Sequence, residues 1–167
     1  MYYYLNYFFI FSIIGHLIES LLVLIFDWNF KSGYLYGYWT PVYGLGVVLI
    51  ILMSHLIFRK LKVNKVLEII IFFISISLLL SFIEWVGGNI LYLIFNKDFW
   101  MYNNHKYHLG KYISLEMTLV WGVTSILFLY LIKPWMDKII VKIPKFVTII
   151  FIFLFIIDNI FTILNKH

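Results

Sequence analysis

An all-α, polytopic transmembrane helical bundle of about five spans is what this chain encodes, and three observations say so. First, 63% of its residues are hydrophobic, mean hydropathy is +0.96 and only 13% are charged. A soluble protein of this size cannot hide that much apolar surface. Second, five apolar runs each come near the ~20 residues that cross a bilayer. Third, Lys and Arg collect between the runs, where they set topology. At 167 residues one integral membrane domain is expected, covering 1–167. With no cysteine, disulfide and thiolate chemistry are excluded. The formal charge of +5 is not read as nucleic-acid binding, because the basic residues mark the ends of spans. Frequent Ile, Phe, Tyr, Lys and Asn suggest an AT-rich, bacterial coding sequence.

The first span covers about 5–26. It has no basic leader region and no small-residue cleavage site, so it reads as a retained helix. The second covers about 41–58, opened by Thr40-Pro41, a capping residue followed by a proline at the first helical position. The third, about 66–95, is long enough to be tilted, or kinked near Gly87-Gly88. The fourth covers about 113–132 and the fifth about 146–164. No strand alternation competes.

Arg59, Lys60, Lys62 and Lys65 lie in one link, and Lys133, Lys138, Lys142 and Lys145 in another, both on the face of the N-terminus. The opposite face receives Lys31, Lys97, Lys106, Lys111 and Lys166. Eight against five puts the N-terminus inside and the C-terminus outside, in a multi-pass cell-membrane protein. The two outer loops, about 27–40 and 96–112, are rich in aromatics, as membrane interfaces are. On position alone, Trp28, Trp39 and Trp100 are expected at the outer interface, and Trp85 and Trp121 inside the bundle. Gly33, Gly37 and Gly44 in and after the first loop, with Pro41, suggest close backbone approach or a re-entrant turn.

Acids inside apolar runs are the candidate functional groups, since each needs a partner, a proton or water. Helical residues at i, i+4, i+7 and i+11 share a face. Ser77, Ser81, Glu84 and Gly88 have that spacing in span three, and Ser114, Thr118, Trp121 and Ser125 in span four. Ser12, His16 and Glu19, beside Gly15, form a shorter stripe in span one, and Asp158, Thr162 and Asn165 another in span five. Helix packing accounts for most of the hydroxyls and glycines; the carboxylates ask for more. At ~1.5 Å rise per residue, Glu19 lies about 21 Å, Glu84 about 27 Å and Asp158 about 18 Å from the inner end of its span, all in the outer half. Glu116 starts span four near the outer surface. The expectation is one polar cavity in the outer half, lined by Glu19, His16, Glu84, Trp85, Asp158, Tyr43, Trp121 and Ser114. One acid would hold a proton or meet His16 or a loop lysine, with Lys31, Lys106 and Lys111 in reach.

No catalytic residue, cofactor or metal is assigned. His105 and His108 are an i, i+3 pair, but no HExxH-like signature, nucleophile elbow, P-loop or dinucleotide fingerprint occurs. ATP hydrolysis would need another chain.

Ordered pieces of this chain resemble the ABC-transporter permease family of the CmpB type. They are Gly15-His16-Leu17-Ile18-Glu19, then Gly33-Tyr34-Leu35-Tyr36-Gly37 leading to Pro41-Val42-Tyr43-Gly44-Leu45-Gly46. Glu84-Trp85-Val86-Gly87-Gly88 follows, then Trp100 with Tyr102, and Ile113-Ser114-Leu115 leading to Trp121-Gly122. They cover about 8–135, and the second is the most specific. Tyr38 stands where the family has proline, Thr40 where cysteine is common, Met101 in place of an acid, and Gly110-Lys111 in place of Asn-Gly. The resemblance implies transport and a permease-like subunit for a small solute or lipid, with the bilayer and a separate ATPase or other membrane subunit as partners. A non-transporting assembly or regulatory partner, and a membrane-embedded enzyme using Glu19 or Glu84 as base with His16, are the alternative classes.

Overall fold

In the computed structural model, residues 1–26 and 33–165 are described. Trp28, Lys31 and Lys166, with the start of the first loop, lie outside them. Helix α1 spans Tyr2–Phe26, α2 Pro41–Lys60 and α3 Lys65–Phe95. A two-stranded hairpin follows, β1 His108–Leu109 and β2 Ile113–Ser114. Then come α4 Leu115–Leu127, a π turn Phe128–Ile132, α5 Lys133–Ile140 and α6 Lys145–Asn165. Among the described residues five helical stretches are long and apolar enough to cross a membrane: Tyr2–Ile25, Pro41–Phe58, Lys65–Phe95, Leu115–Ile140 and Lys145–Asn165. The expected all-α architecture is therefore present.

Two boundaries differ from expectation. Span four was expected to stop at 132, before Lys133-Pro134, yet the helix runs to Ile140. Proline lacks an N–H and crowds the carbonyl four residues back. The π turn just upstream answers this, with the Lys133 N–H reaching back to Phe128 O. The second difference is the hairpin, which pairs His108 with Ser114 and Leu109 with Ile113. It turns at Gly110, whose φ of +65° suits glycine. Strands of two residues carry no readable alternation.

The chain divides into two compact units. Residues 1–48 and 137–167 form one, 49–136 the other. In the first, the segment 33–40 packs onto α1 and α6. Phe9, Leu35 and Trp39 are its buried centre, surrounded by Phe8, Phe151 and Phe155. Phe9 stacks on Phe151 at 5.6 Å, and Phe8 meets Phe155 edge-on at 5.4 Å. α2 starts at Pro41, as expected. A Cβ on Gly44 would collide with Phe8 O and Ser12 Oγ, so glycine lets α1 and α2 touch backbone to side chain. The Thr40 N–H donates to Ser12 O at 2.9 Å, and Thr148 Oγ1 donates to Asn6 Oδ1 at 2.6 Å.

In the second unit α3 and α4 are the principal pair. Asn64 caps α3, its side chain accepting the Leu67 N–H at 2.8 Å. Asn96 ends it in the left-handed region at φ 48°. The two polar stripes meet each other: Ser81 and Thr118 share a hydrogen bond of 2.6 Å, and Gly122 sits against Ser77 and Phe73. α3 is an unbroken α-helix through Gly87-Gly88. Gly88 makes room for the Tyr112 ring.

Candidate functional site

Glu84 is the most enclosed of the span carboxylates, at 6% exposure. Trp121 Nε1 donates to its Oε2 at 2.8 Å, and Tyr102 OH donates to its Oε1 at 2.8 Å. Trp121 is expected inside the bundle on the α4 stripe, and the structure sets it against Glu84. Tyr102 is not, because it comes from the connecting segment 96–114, where no helical spacing announces a partner. That segment is held by its own bonds. The Tyr102 N–H donates to Lys111 O at 2.8 Å and the His105 N–H to Tyr102 O at 2.9 Å. The His105 ring lies 5.0 Å from that of Tyr102. No Lys, Arg or His among the described residues pairs with the Glu84 carboxyl.

Trp85 does not point inward. It is 45% exposed, because consecutive helical residues lie about 100° apart and Glu84 has taken the inner face. The loop lysines also find other partners. Lys111 pairs with Asp98 at 3.1 Å and lies over Tyr92, while Lys106 lies over Tyr107 at 5.3 Å. Each is satisfied at its own level without descending into the helices.

Ser114, fully buried, caps α4 by accepting the Met117 N–H at 3.2 Å. It also lies 2.8 Å from His105 Nδ1. Glu116 accepts the Tyr107 N–H at 3.2 Å, with His105 Nδ1 at 3.8 Å. His108 turns elsewhere, to Gly110 O. Among the described residues no group of three or more His, Asp or Glu is placed to hold a metal ion.

Tyr112 OH donates to Asp98. That bond, then Lys111, holds the Asp98 carboxyl below the usual carboxylate range, while burial first and Asp98 second push Tyr112 up to about 12.

In the first unit Tyr43 OH donates to Glu19 Oε1 at 3.0 Å. Gly15, one turn before Glu19, leaves space for the Tyr43 ring, where a Cβ would overlap it. His16 meets Tyr38 edge-on at 5.5 Å. Glu19, Tyr43 and Gly15 thus form one contact set, as the α1 stripe suggests.

Asp158 serves the loop. It accepts the Gly37 N–H at 3.0 Å and Trp39 Nε1 at 2.9 Å, with Thr162 Oγ1 at 3.5 Å. A Cβ at Gly37 would run into both Trp39 and Asp158. The Gly33 φ of +65° starts the segment. Trp39, expected at the outer interface, is buried within the protein at 9% exposure, its indole N–H donating to Asp158. Tyr34 bonds Asn159 Oδ1 at 2.8 Å, and burial, then the Asp158 charge, raise its phenol above its ordinary value.

Asp137, like Glu68 and Asp98, is not among the acids that the apolar runs single out. Asp137 lies in a basic stretch taken for a link, yet it accepts Tyr3 OH at 2.6 Å and Tyr7 OH at 2.8 Å. The signal was there: Tyr3 and Tyr7 are i, i+4 neighbours on one face of α1.

Five membrane-length helices with carboxylates tied between elements describe a multi-pass membrane protein with an internal polar framework. The chain matches the family described as "Putative ABC-transporter type IV" over residues 6–163, and it belongs to that family. No curated protein and no solved structure matches it.

Proposed function

We propose that this chain is a permease-like component that handles a small solute or lipid through a polar cavity in the outer half of the bilayer. The family supports a transport role, and the enclosed Glu84 carboxyl carries the reading. An ionisable group at membrane depth is costly, and a stability role alone is served by cheaper hydroxyl pairs such as Ser81 with Thr118. Glu84, with Tyr102 and Trp121, is the polar anchor for the cargo in the second unit. Glu19, with Tyr43 and His16, is a polar group of the first unit open to the same kind of role. Ser114 and Asp158 support these groups by fixing the segments 96–114 and 33–40. The family supports pairing with a separate ATPase or other membrane subunit. The basic bias supports an inside N-terminus and an outside C-terminus in the cell membrane.

Native mass spectrometry of the protein released from nanodiscs tests the reading. A small molecule or lipid retained by the native chain should be lost from Glu84→Gln and Glu19→Gln variants that fold normally. Equal retention by both would refute the assignment.

A further inference from the structure

We propose that Glu84 is a proton-exchange site, in which Trp121 fixes Oε2 as the acceptor and Tyr102 serves the oxygen that gains and loses the proton. The argument is one of donor inventory. An indole N–H only donates, so the oxygen facing Trp121 Nε1 at 2.8 Å is always an acceptor. A phenol hydroxyl donates or accepts, so the oxygen facing Tyr102 at 2.8 Å tolerates either state. With the carboxylate ionised, Tyr102 donates to Oε1. With Oε1 protonated, the O–H donates to Tyr102, whose own hydrogen rotates away. Both states keep both hydrogen bonds, and half-buried Tyr102, followed by exposed Asn103 and Asn104, is the route by which the exchanged proton reaches water.

The surroundings leave the carboxyl enclosed and, among the described residues, without an ion pair. Glu84 is 6% exposed, sits in a helix long and apolar enough to span a membrane, and has no ion-pair partner among the described residues. The titratable groups on the elements packed against α3 are Lys97, Asp98, Tyr102, His105, Lys106, Tyr107, His108, Lys111 and Tyr112 from the connecting segment, Glu116 from α4, Tyr130 from the π turn, and His55 and Lys60 from α2, which meets α3 through Phe58 and Phe72. Lys111 is paired with Asp98, Tyr112 is bonded to it as well, and His105 lies beside Ser114 and Glu116. None of these supplies Glu84 with a fixed positive charge. Tyr102 belongs to the same segment as His105 and Lys111, so proton exchange at Glu84 is linked to how that segment is seated. The inference goes beyond the permease reading and does not depend on it.

The test is infrared difference spectroscopy of the full chain in lipid nanodiscs as pH is stepped. A protonated-carboxyl stretch should fall as pH rises and be missing from Glu84→Gln. Tyr102→Phe should keep that stretch but change its frequency, since one hydrogen-bond partner is gone. It should also move the midpoint to higher pH, because the ionised form loses a donor. Absence of any titrating carboxyl stretch, or its survival unchanged in Glu84→Gln, would overturn the proposal. If Glu84→Gln does not fold, Tyr102→Phe and Trp121→Phe decide: a spectrum identical to native in both would overturn it as well. A titrating Glu84 in a protein that retains no cargo would count against the permease reading and leave this one standing.

Discussion

The indole of Trp121 on α4 donates to Oε2 of Glu84 on α3 across 2.8 Å. That bond joins the two helices one turn beyond the Ser81–Thr118 pair, and it ties a charge-capable group to a fixed donor. In lipid, where no water replaces a lost partner, such a bond has a clear experimental signature.

Glu84→Leu should destabilise the protein by about 1–3 kcal/mol, since the Tyr102 and Trp121 bonds are both lost. Glu84→Gln should cost about 1 kcal/mol, because the amide keeps an acceptor for Trp121. Unfolding in mixed micelles would measure both. Equal losses for Gln and Leu would show that the hydrogen bonds contribute nothing.

Glycines in the same kind of helix should answer very differently to alanine. Gly44→Ala places a methyl against the Phe8 carbonyl and Ser12, and backbone cannot yield as a side chain does. A loss of about 1–3 kcal/mol is expected. Gly87→Ala meets nothing closer than 3.8 Å and should be neutral or stabilise by about 0.5–1 kcal/mol. Thermal unfolding of the two variants side by side gives the comparison.

Much of this was legible in the chain because lipid leaves few choices. Backbone polar groups must be satisfied within each span, so five apolar runs become five helices. The stripes Ser77-Ser81-Glu84 and Thr118-Trp121-Ser125 were legible because a helix has one period, and the structure brings them face to face. Tyr102 and Asp137 could not be found that way. One sits in an irregular segment and the other lies past Pro134, where proline usually signals an end. The burial of Trp39 was not legible, because position relative to a span says nothing of which acceptor an indole N–H will reach. Trp85 shows the opposite limit, since adjacency in sequence to Glu84 rules out a shared face.

The segment 96–114 should loosen at both extremes of pH. Asp98 is held below its ordinary value of 3.8 by Tyr112 and Lys111, so its contribution is complete above that pH and is lost as pH falls through the lowered value. Tyr112 is raised from 10.0 to about 12, so its contribution is complete below pH 10 and is lost as pH climbs towards 12. Limited proteolysis between Phe99 and Ile113 should therefore slow at neutral pH and quicken outside that window. In Asp98→Asn the acid-side change should disappear.

The absence of cysteine makes topology easy to read, since any introduced thiol is unique. A cysteine at Asn64 or Ile143, in the two basic links, should react with an impermeant reagent only after the membrane is opened. One at Asn103 should react in intact cells. The reverse pattern would invert the orientation argued from the lysines.

The same native background supplies the most direct measurement of the central claim, that Glu84 faces a polar space open to the outer half of the membrane. Glu84→Cys should be modified by a hydrophilic, impermeant thiol reagent added outside, while a cysteine at Leu93, on a strongly exposed apolar position of the same helix, should not. If position 84 reacts only with lipid-soluble reagents, or with none, Glu84 is sealed between helices and the proposed site does not exist.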